Sequence, residues 1–211
     1  MKVLLLNGDN HNFHTCAPIV ESFLSNDPAL SVVVTEDREA LRALDSFDVF
    51  VFGTGFTRAV RHDDGTVDRL PDLTPDQEEG LNGYVHDGGG LVGIHGTGWW
   101  IPARSVPLIG GHANWHPPGL TFDVTIDDDD HPIMKGIEDF EVEDEIYMSA
   151  WDPGIHVLAS ATWQDKQHPM AWTHHYGEGK VFYTTLGHGP NTFEVDAFQQ
   201  MIVQAVKWAG N

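Results

Sequence analysis

Residues 88–98 read Gly-Gly-Gly-Leu-Val-Gly-Ile-His-Gly-Thr-Gly, and few folds accept such a stretch. A short apolar run, Leu91–Ile94, stops at one polar residue, His95, set between glycines. That is the pattern of a buried strand entering a sharp turn, where a side chain next to the apex would clash. The apex residue then projects at the carboxyl edge of a parallel sheet, where open α/β sheets bind their ligands. Nucleophile elbows place Ser or Cys at that point, whereas this chain places His95.

The same theme recurs upstream. Val3–Leu6 ends at Asn7-Gly8-Asp9, and Phe47–Phe52 ends at Gly53-Thr54-Gly55. Leu30–Val34 reads as a further strand. Helical spacing falls between these runs. It covers Ala17–Leu24 with Thr15 as its cap, a short charged helix over Glu36–Leu44, and a helix from Thr74 to about Asp87. At the last of these Thr74 caps, Pro75 takes the first turn and Gln77 completes a capping box. Strands alternating with helices predict an α/β fold, a mostly parallel sheet with helices on both faces. The second half changes style. Leu120–Ile126 alternates as a half-buried antiparallel strand does, and His156–Thr162, Pro169–His174 and Gly179–Leu186 add further strands, an antiparallel β extension. Phe198–Trp208 closes the chain as an amphipathic helix. Residues 56–73 read as a polar, glycine-containing loop, a surface excursion or else a lid, and 110–117 as another loop. With 211 residues and no internal repeat or linker, residues 1–211 are expected to form one domain.

Composition narrows the partners. Acidic residues number 32 against 11 basic, a formal net charge of −21. Such a surface repels nucleic acid and anionic membranes. Hydrated carboxylates with scarce lysine suit a high-salt medium, where counterions screen the self-repulsion; an ordinary acidic cytosolic protein is the alternative. Residues 2–6 are too short for a signal peptide and no apolar run reaches membrane-spanning length, so a cytoplasmic location is expected. The single Cys16 excludes an internal disulfide and reads as a buried small side chain.

Thirteen histidines stand out in so acidic a chain, several at strand ends. Asn7, His11 and His14 follow the first strand, Thr54 the third, His95 and Thr97 the fourth, and His112 and His116 lie in the 110–117 loop. His174 and His188 end late strands. Carboxyl ends of parallel strands share one edge, so much of this set is expected to meet in one cleft. His95 and His188 are candidate acid/base groups, with Glu145 as the carboxylate that orients or assists them. His95, His112, His116 and His188 are candidate ligands for a divalent metal such as zinc or manganese. Among the many tryptophans, which include Trp100, Trp99 and Trp115 lie in presumed cleft loops and suit stacking on a sugar. Tyr147, His112 and His174 are expected to help shape that sugar site. His11, His62 and His168 read as solvated loop residues, Asp127–Asp130 as a solvated loop, and most of the acids from Glu141 to Glu145 as solvent-facing.

Several of these pieces together resemble the ThuA-like (trehalose utilisation) family, within the class I glutamine amidotransferase-like superfamily. They are Gly90-Leu-Val-Gly-Ile-His95-Gly, Gly110-Gly-His112 with His116-Pro117, His131-Pro132-Ile133 with Gly136, Asp144-Glu145-Ile146-Tyr147, Ala171-Trp-Thr-His174, and Tyr176-Gly-Glu-Gly-Lys-Val-Phe-Tyr-Thr-Thr-Leu-Gly-His188. The resemblance covers nearly the whole chain. It implies a flavodoxin-like α/β sandwich and a place in disaccharide or keto-sugar metabolism. The amidotransferases carry Cys at the elbow and His after a late strand; here His95 holds the first position and His188 resembles the second. Without a thiol no thioester with glutamine forms, so glutamine hydrolysis is not expected. The expected function is an enzyme acting on a sugar or keto-sugar by histidine acid/base or metal-assisted chemistry. The alternatives are a sugar-binding or regulatory protein that kept the fold without catalysis, and a metal-dependent hydrolase. A small-molecule sugar is the expected partner, with self-association an open question.

Overall fold

The computed structural model describes residues 1–99 and 101–211, with the backbone alone at position 69; Trp100, one of the candidate stacking residues, lies outside the described residues. Nine strands form the main sheet. In chain order the first four are β1 (Lys2–Leu6), β2 (Ser31–Thr35), β3 (Val49–Phe52) and, after a hairpin of β4 (Thr57–Arg61) and β5 (Val67–Pro71), β6 (Gly90–Ile94). A strand β7 (Gly111–Trp115) precedes β8 (Leu120–Ile126), β9 (Phe140–Asp144) and β10 (Met148–Trp151). The chain then forms β11 (His156–Trp163), β12 (Lys166–Tyr176) and β13 (Gly179–Thr184). The sheet order is β2-β1-β3-β6-β13-β12-β11-β8-β9. The first five run parallel, and each later pairing is antiparallel. The flavodoxin-like half therefore carries the expected antiparallel extension.

The inner strands β1, β3 and β6 are apolar on both sides because both sides are covered, whereas the edge strand β2 is partly exposed. Val3 and Leu5 of β1, with Val49 and Val51 of β3, join a core closed by α1 (Ala17–Ser25). Leu4, Leu6, Phe50 and Phe52 join a second core closed by α2 (Pro75–His86). Short helices α3 (Gly96–Trp99), α4 (Val106–Ile109) and α5 (Pro190–Phe193) follow, and α6 (Asp196–Ala209) packs against β6, β13 and α1, on the side of the first core. The capping box of α2 forms as its sequence predicts: Thr74 Oγ1 accepts from Gln77 N, and Gln77 Oε1 accepts from Thr74 N. Cys16 is buried, which pushes its thiol pKa up. No helix among the described residues is long and apolar enough to cross a membrane.

Four local expectations are corrected. Thr15 does not cap α1; its hydroxyl donates to Asn12 O, and Cys16 stands at the cap position. Residues 36–44 form tight 3-10 turns, Arg38–Arg42 and Leu44–Ser46, rather than an α-helix. Asp37 caps the first turn through Glu39 N, while Arg38 pairs with Asp72 and Arg42 with Asp76. The supposed loop over 56–73 is the β4–β5 hairpin, turned at residues 62–66 by Gly65 in a left-handed conformation. The supposed loop over 110–117 contains β7, which pairs antiparallel with β10.

Candidate functional site

The carboxyl ends of β1, β3, β6 and β13 open on one edge, and the chain turns there four times. At the end of β6, His95 adopts φ +43°, a left-handed conformation uncommon for any residue but glycine. Its neighbour must be glycine for a separate reason: a Cβ on Gly96 would stand 2.7 Å from the His11 Cβ and 2.8 Å from Gly53 O. His95 N donates to Thr184 O at 2.7 Å, and its carbonyl accepts from Tyr183 OH at 2.7 Å. The strained apex is thus clamped to β13, as strain at such a position requires.

The imidazole of His95 is 2 % exposed, and its orientation is fixed. Nδ1 lies 2.5 Å from Thr185 O. A carbonyl only accepts, so Nδ1 carries the proton and Nε2 presents its lone pair to the cleft. Four polar groups converge on that nitrogen. They are Tyr147 OH at 2.7 Å, His11 Nε2 at 2.8 Å, His188 Nδ1 at 3.3 Å and Glu145 Oε2 at 3.5 Å. Glu145 Oε2 is also 3.3 Å from His188 Nδ1, and Glu145 Oε1 is 3.4 Å from His116 Nδ1.

The electrostatics follow from burial and this crowding. Burial works to raise the pKa of Glu145, which is 7 % exposed, but its hydrogen bond to His188 outweighs burial and holds the carboxyl well below the usual range. Burial, reinforced by His95 and His188, lowers His11 to about 3, so its ring stays neutral. His188 is raised, chiefly by its hydrogen bond to Glu145. Burial keeps Tyr147 a protonated phenol far beyond neutrality. His11, His95, Glu145 and His188 each offer one ligand atom, and these atoms lie within 4.8 Å of one another.

Asp144 holds the far wall together. This buried carboxylate accepts from Glu145 N at 2.7 Å, Gly187 N at 2.7 Å, His188 N at 3.2 Å and Thr192 Oγ1 at 2.6 Å. Asp144 thus departs from the solvent-facing reading of most of the 141–145 acids.

The other predicted residues divide. Asn7, with Asp9, Asn10, His11, Arg38 and Asp72, borders a cleft of about 690 Å³ next to the cluster. Trp99 and His112, with Thr57, Ile101, Pro102 and Val106, border another of about 390 Å³. The Trp99 ring also stands 5.3 Å from His116 and 5.5 Å from Tyr147, which links this second cleft to the cluster. Thr54 is fully buried beneath Gly8. The Thr97 hydroxyl is committed to Phe52 O and Ile94 O. His14 is exposed beside Asp9. Trp115 is 51 % exposed and packs against Trp163. His174 is committed to the backbone, with Nε2 at 3.0 Å from Leu108 O. Of the four candidate metal ligands, His95 and His188 meet, His116 stands behind Glu145, and His112 remains apart with Asn114. His11, read as a solvated loop residue, is instead central to the cluster. Left-handed φ values at His11 (+59°) and Asn12 (+55°) fold its loop back over the sheet edge. Asn10-His11-Asn12 is the one local hint, since Asn tolerates that conformation well.

Comparison with known proteins agrees with this architecture. A protein from Parabacteroides merdae ATCC 43184 described as ThuA-like superposes with a TM-score of 0.73 at 19 % identity, over 100 % of this chain and 89 % of that one. A cytoplasmic protein from Salmonella typhimurium LT2 gives 0.70 at 13 % identity, over 99 % of both chains. A β-galactosidase from Bacillus circulans gives 0.67 at 13 % identity, over 99 % of this chain but 30 % of that one. At these identities the likeness speaks for the fold. No curated protein matches the sequence significantly. The model of one family, described as trehalose utilisation, matches residues 2–209, and the chain accordingly belongs to the ThuA family.

Proposed function

We propose that this protein is an enzyme of carbohydrate metabolism that acts on a disaccharide or keto-sugar by proton transfer at the His95–His188–Glu145 centre. The observation that carries the proposal is the fixed tautomer of His95. Its Nε2 lone pair is aimed at a point ringed by a carboxylate, two more imidazoles and a phenol. An isolated structural histidine has no use for such convergence, whereas abstraction of a proton beside a carbonyl needs it. The family's link to trehalose utilisation supports a sugar as the ligand.

The flanking clefts support the same class. The larger cleft carries Asp9, Glu36 and Asp72 against Arg38 and Arg58, and Arg38 is already paired with Asp72. Such a surface favours neutral hydroxyl groups over a phosphorylated sugar. The smaller cleft offers Trp99 and aliphatic walls for the apolar face of a ring.

The test compares the wild type with His95→Asn against a panel of disaccharides and their keto derivatives, followed by NMR. Asparagine accepts the left-handed backbone, so the fold survives while the imidazole is lost. Turnover in the wild type and a loss of more than about 100-fold in the variant is the expected result. Equal binding of one sugar by both proteins, with turnover by neither, would mark a binding protein and overturn the proposal.

A further inference from the structure

We infer that His11, His95, His188 and Glu145 form a mononuclear site for a divalent transition metal. The inference concerns the site described above, but it does not depend on the sugar reading.

Distance supplies the first argument. In a tetrahedral zinc centre with ligands at about 2.0–2.1 Å, ligand atoms stand about 3.3–3.4 Å apart. The His188–His95, His188–Glu145 and His95–Glu145 separations are 3.3, 3.3 and 3.5 Å, so these three atoms mark one face of such a tetrahedron. His11 Nε2, 2.8 Å from His95 Nε2 and within 4.8 Å of the other two donor atoms, supplies the fourth donor.

Protonation supplies the second. Thr185 O fixes His95 in the tautomer that a metal ligand needs, in the manner of outer partners that orient ligating imidazoles. The third argument is the packing around the carboxylate. Glu145 Oε2 is buried and faces His188 Nδ1 at 3.3 Å and His95 Nε2 at 3.5 Å, the spacing of donors arranged around one ion rather than of short hydrogen bonds.

The donor set defines the ion. Three imidazole nitrogens and one carboxylate suit zinc and its transition-metal neighbours, whereas magnesium and calcium require oxygen ligands. When bound, such an ion supplies Lewis acidity toward a substrate carbonyl. With the ion bound, His95, His188 and Glu145 serve as ligands rather than as acid or base, and proton transfer passes to His116, behind the second oxygen of Glu145, and to the Tyr147 hydroxyl.

Untagged protein, stripped with a chelator, is titrated with Zn2+, Co2+, Mn2+ and Mg2+ by calorimetry, and the cobalt form is examined for visible d–d absorption. We expect one equivalent of Zn2+ or Co2+ per chain, a structured cobalt spectrum and no uptake of Mg2+. His188→Ala changes a side chain that is 49 % exposed, so this variant keeps the fold and is expected to lose more than about 100-fold in affinity. Glu145→Gln is expected to behave alike. Failure to bind any of the transition metals, or one-equivalent binding unchanged in both variants, overturns the site. Sugar turnover is not measured here, so a metal-loaded protein inert toward sugars would count against the proposed function alone.

Discussion

Asp144 supports more of the site than any other single side chain, because its two oxygens anchor the backbone of Glu145, Gly187 and His188 at once. Asp144→Asn replaces an acceptor by a donor inside that nest. The expected cost is about 1–3 kcal/mol of stability, with a fall in turnover as His188 loses its place; chemical denaturation and activity assays check the two halves. His131 provides a pH test away from the site. Its Nδ1 accepts from Ile133 N, and burial, aided by nearby His156, lowers its pKa. The unfolded chain therefore takes up a proton that the folded chain resists as pH falls below about 6.5. Stability is complete above that pH and declines as the medium acidifies. His131→Asn, whose side-chain oxygen accepts the same bond, is expected to flatten the decline in urea midpoints between pH 7 and pH 5. At this scale the sequence was informative where a polar residue ended an apolar run, as with His95 and His188. His11 had no such marker, because its loop is folded back by two left-handed residues that no spacing reveals.

Elements were legible in proportion to how locally they are determined. The capping box announced α2, and the apolar runs announced β1, β3 and β6. The β4–β5 hairpin and the β7–β10 pair were not legible, because each strand is short and mixes polar with apolar residues without a sustained alternation, and its partner is fixed by cross-strand bonds. The helix expected over 36–44 gave way to tight turns whose arginines reach tertiary partners. Within α2 two glycines make opposite predictions. A Cβ on Gly83 meets nothing within 4 Å, so Gly83→Ala is expected to stabilise by up to about 1 kcal/mol. A Cβ on Gly80 would sit 2.4 Å from Leu41 O, so Gly80→Ala is expected to lower the melting temperature despite its better helix propensity. Thermal unfolding of the pair separates propensity from packing in one helix.

Charge acts on the molecule as a whole. A formal charge of −21 over 211 residues works against compactness unless counterions gather around it. The screening length falls from about 30 Å at 0.01 M salt to about 3 Å at 1 M. The melting temperature is therefore expected to rise steadily between those limits; a value insensitive to salt would remove the argument for a high-salt habitat. One feature of the site extends to the same scale. His11 comes from the first turn of the chain, His95 from its middle, and Glu145 and His188 from the antiparallel half and the last strand's exit. An ion held by all four would act as a clasp across the length of the polypeptide, absent until the final strand is in place and released only when the two halves part. Its loss would then be felt less as a missing reagent than as an unfastened seam, with faster unfolding and earlier proteolytic entry at the sheet edge.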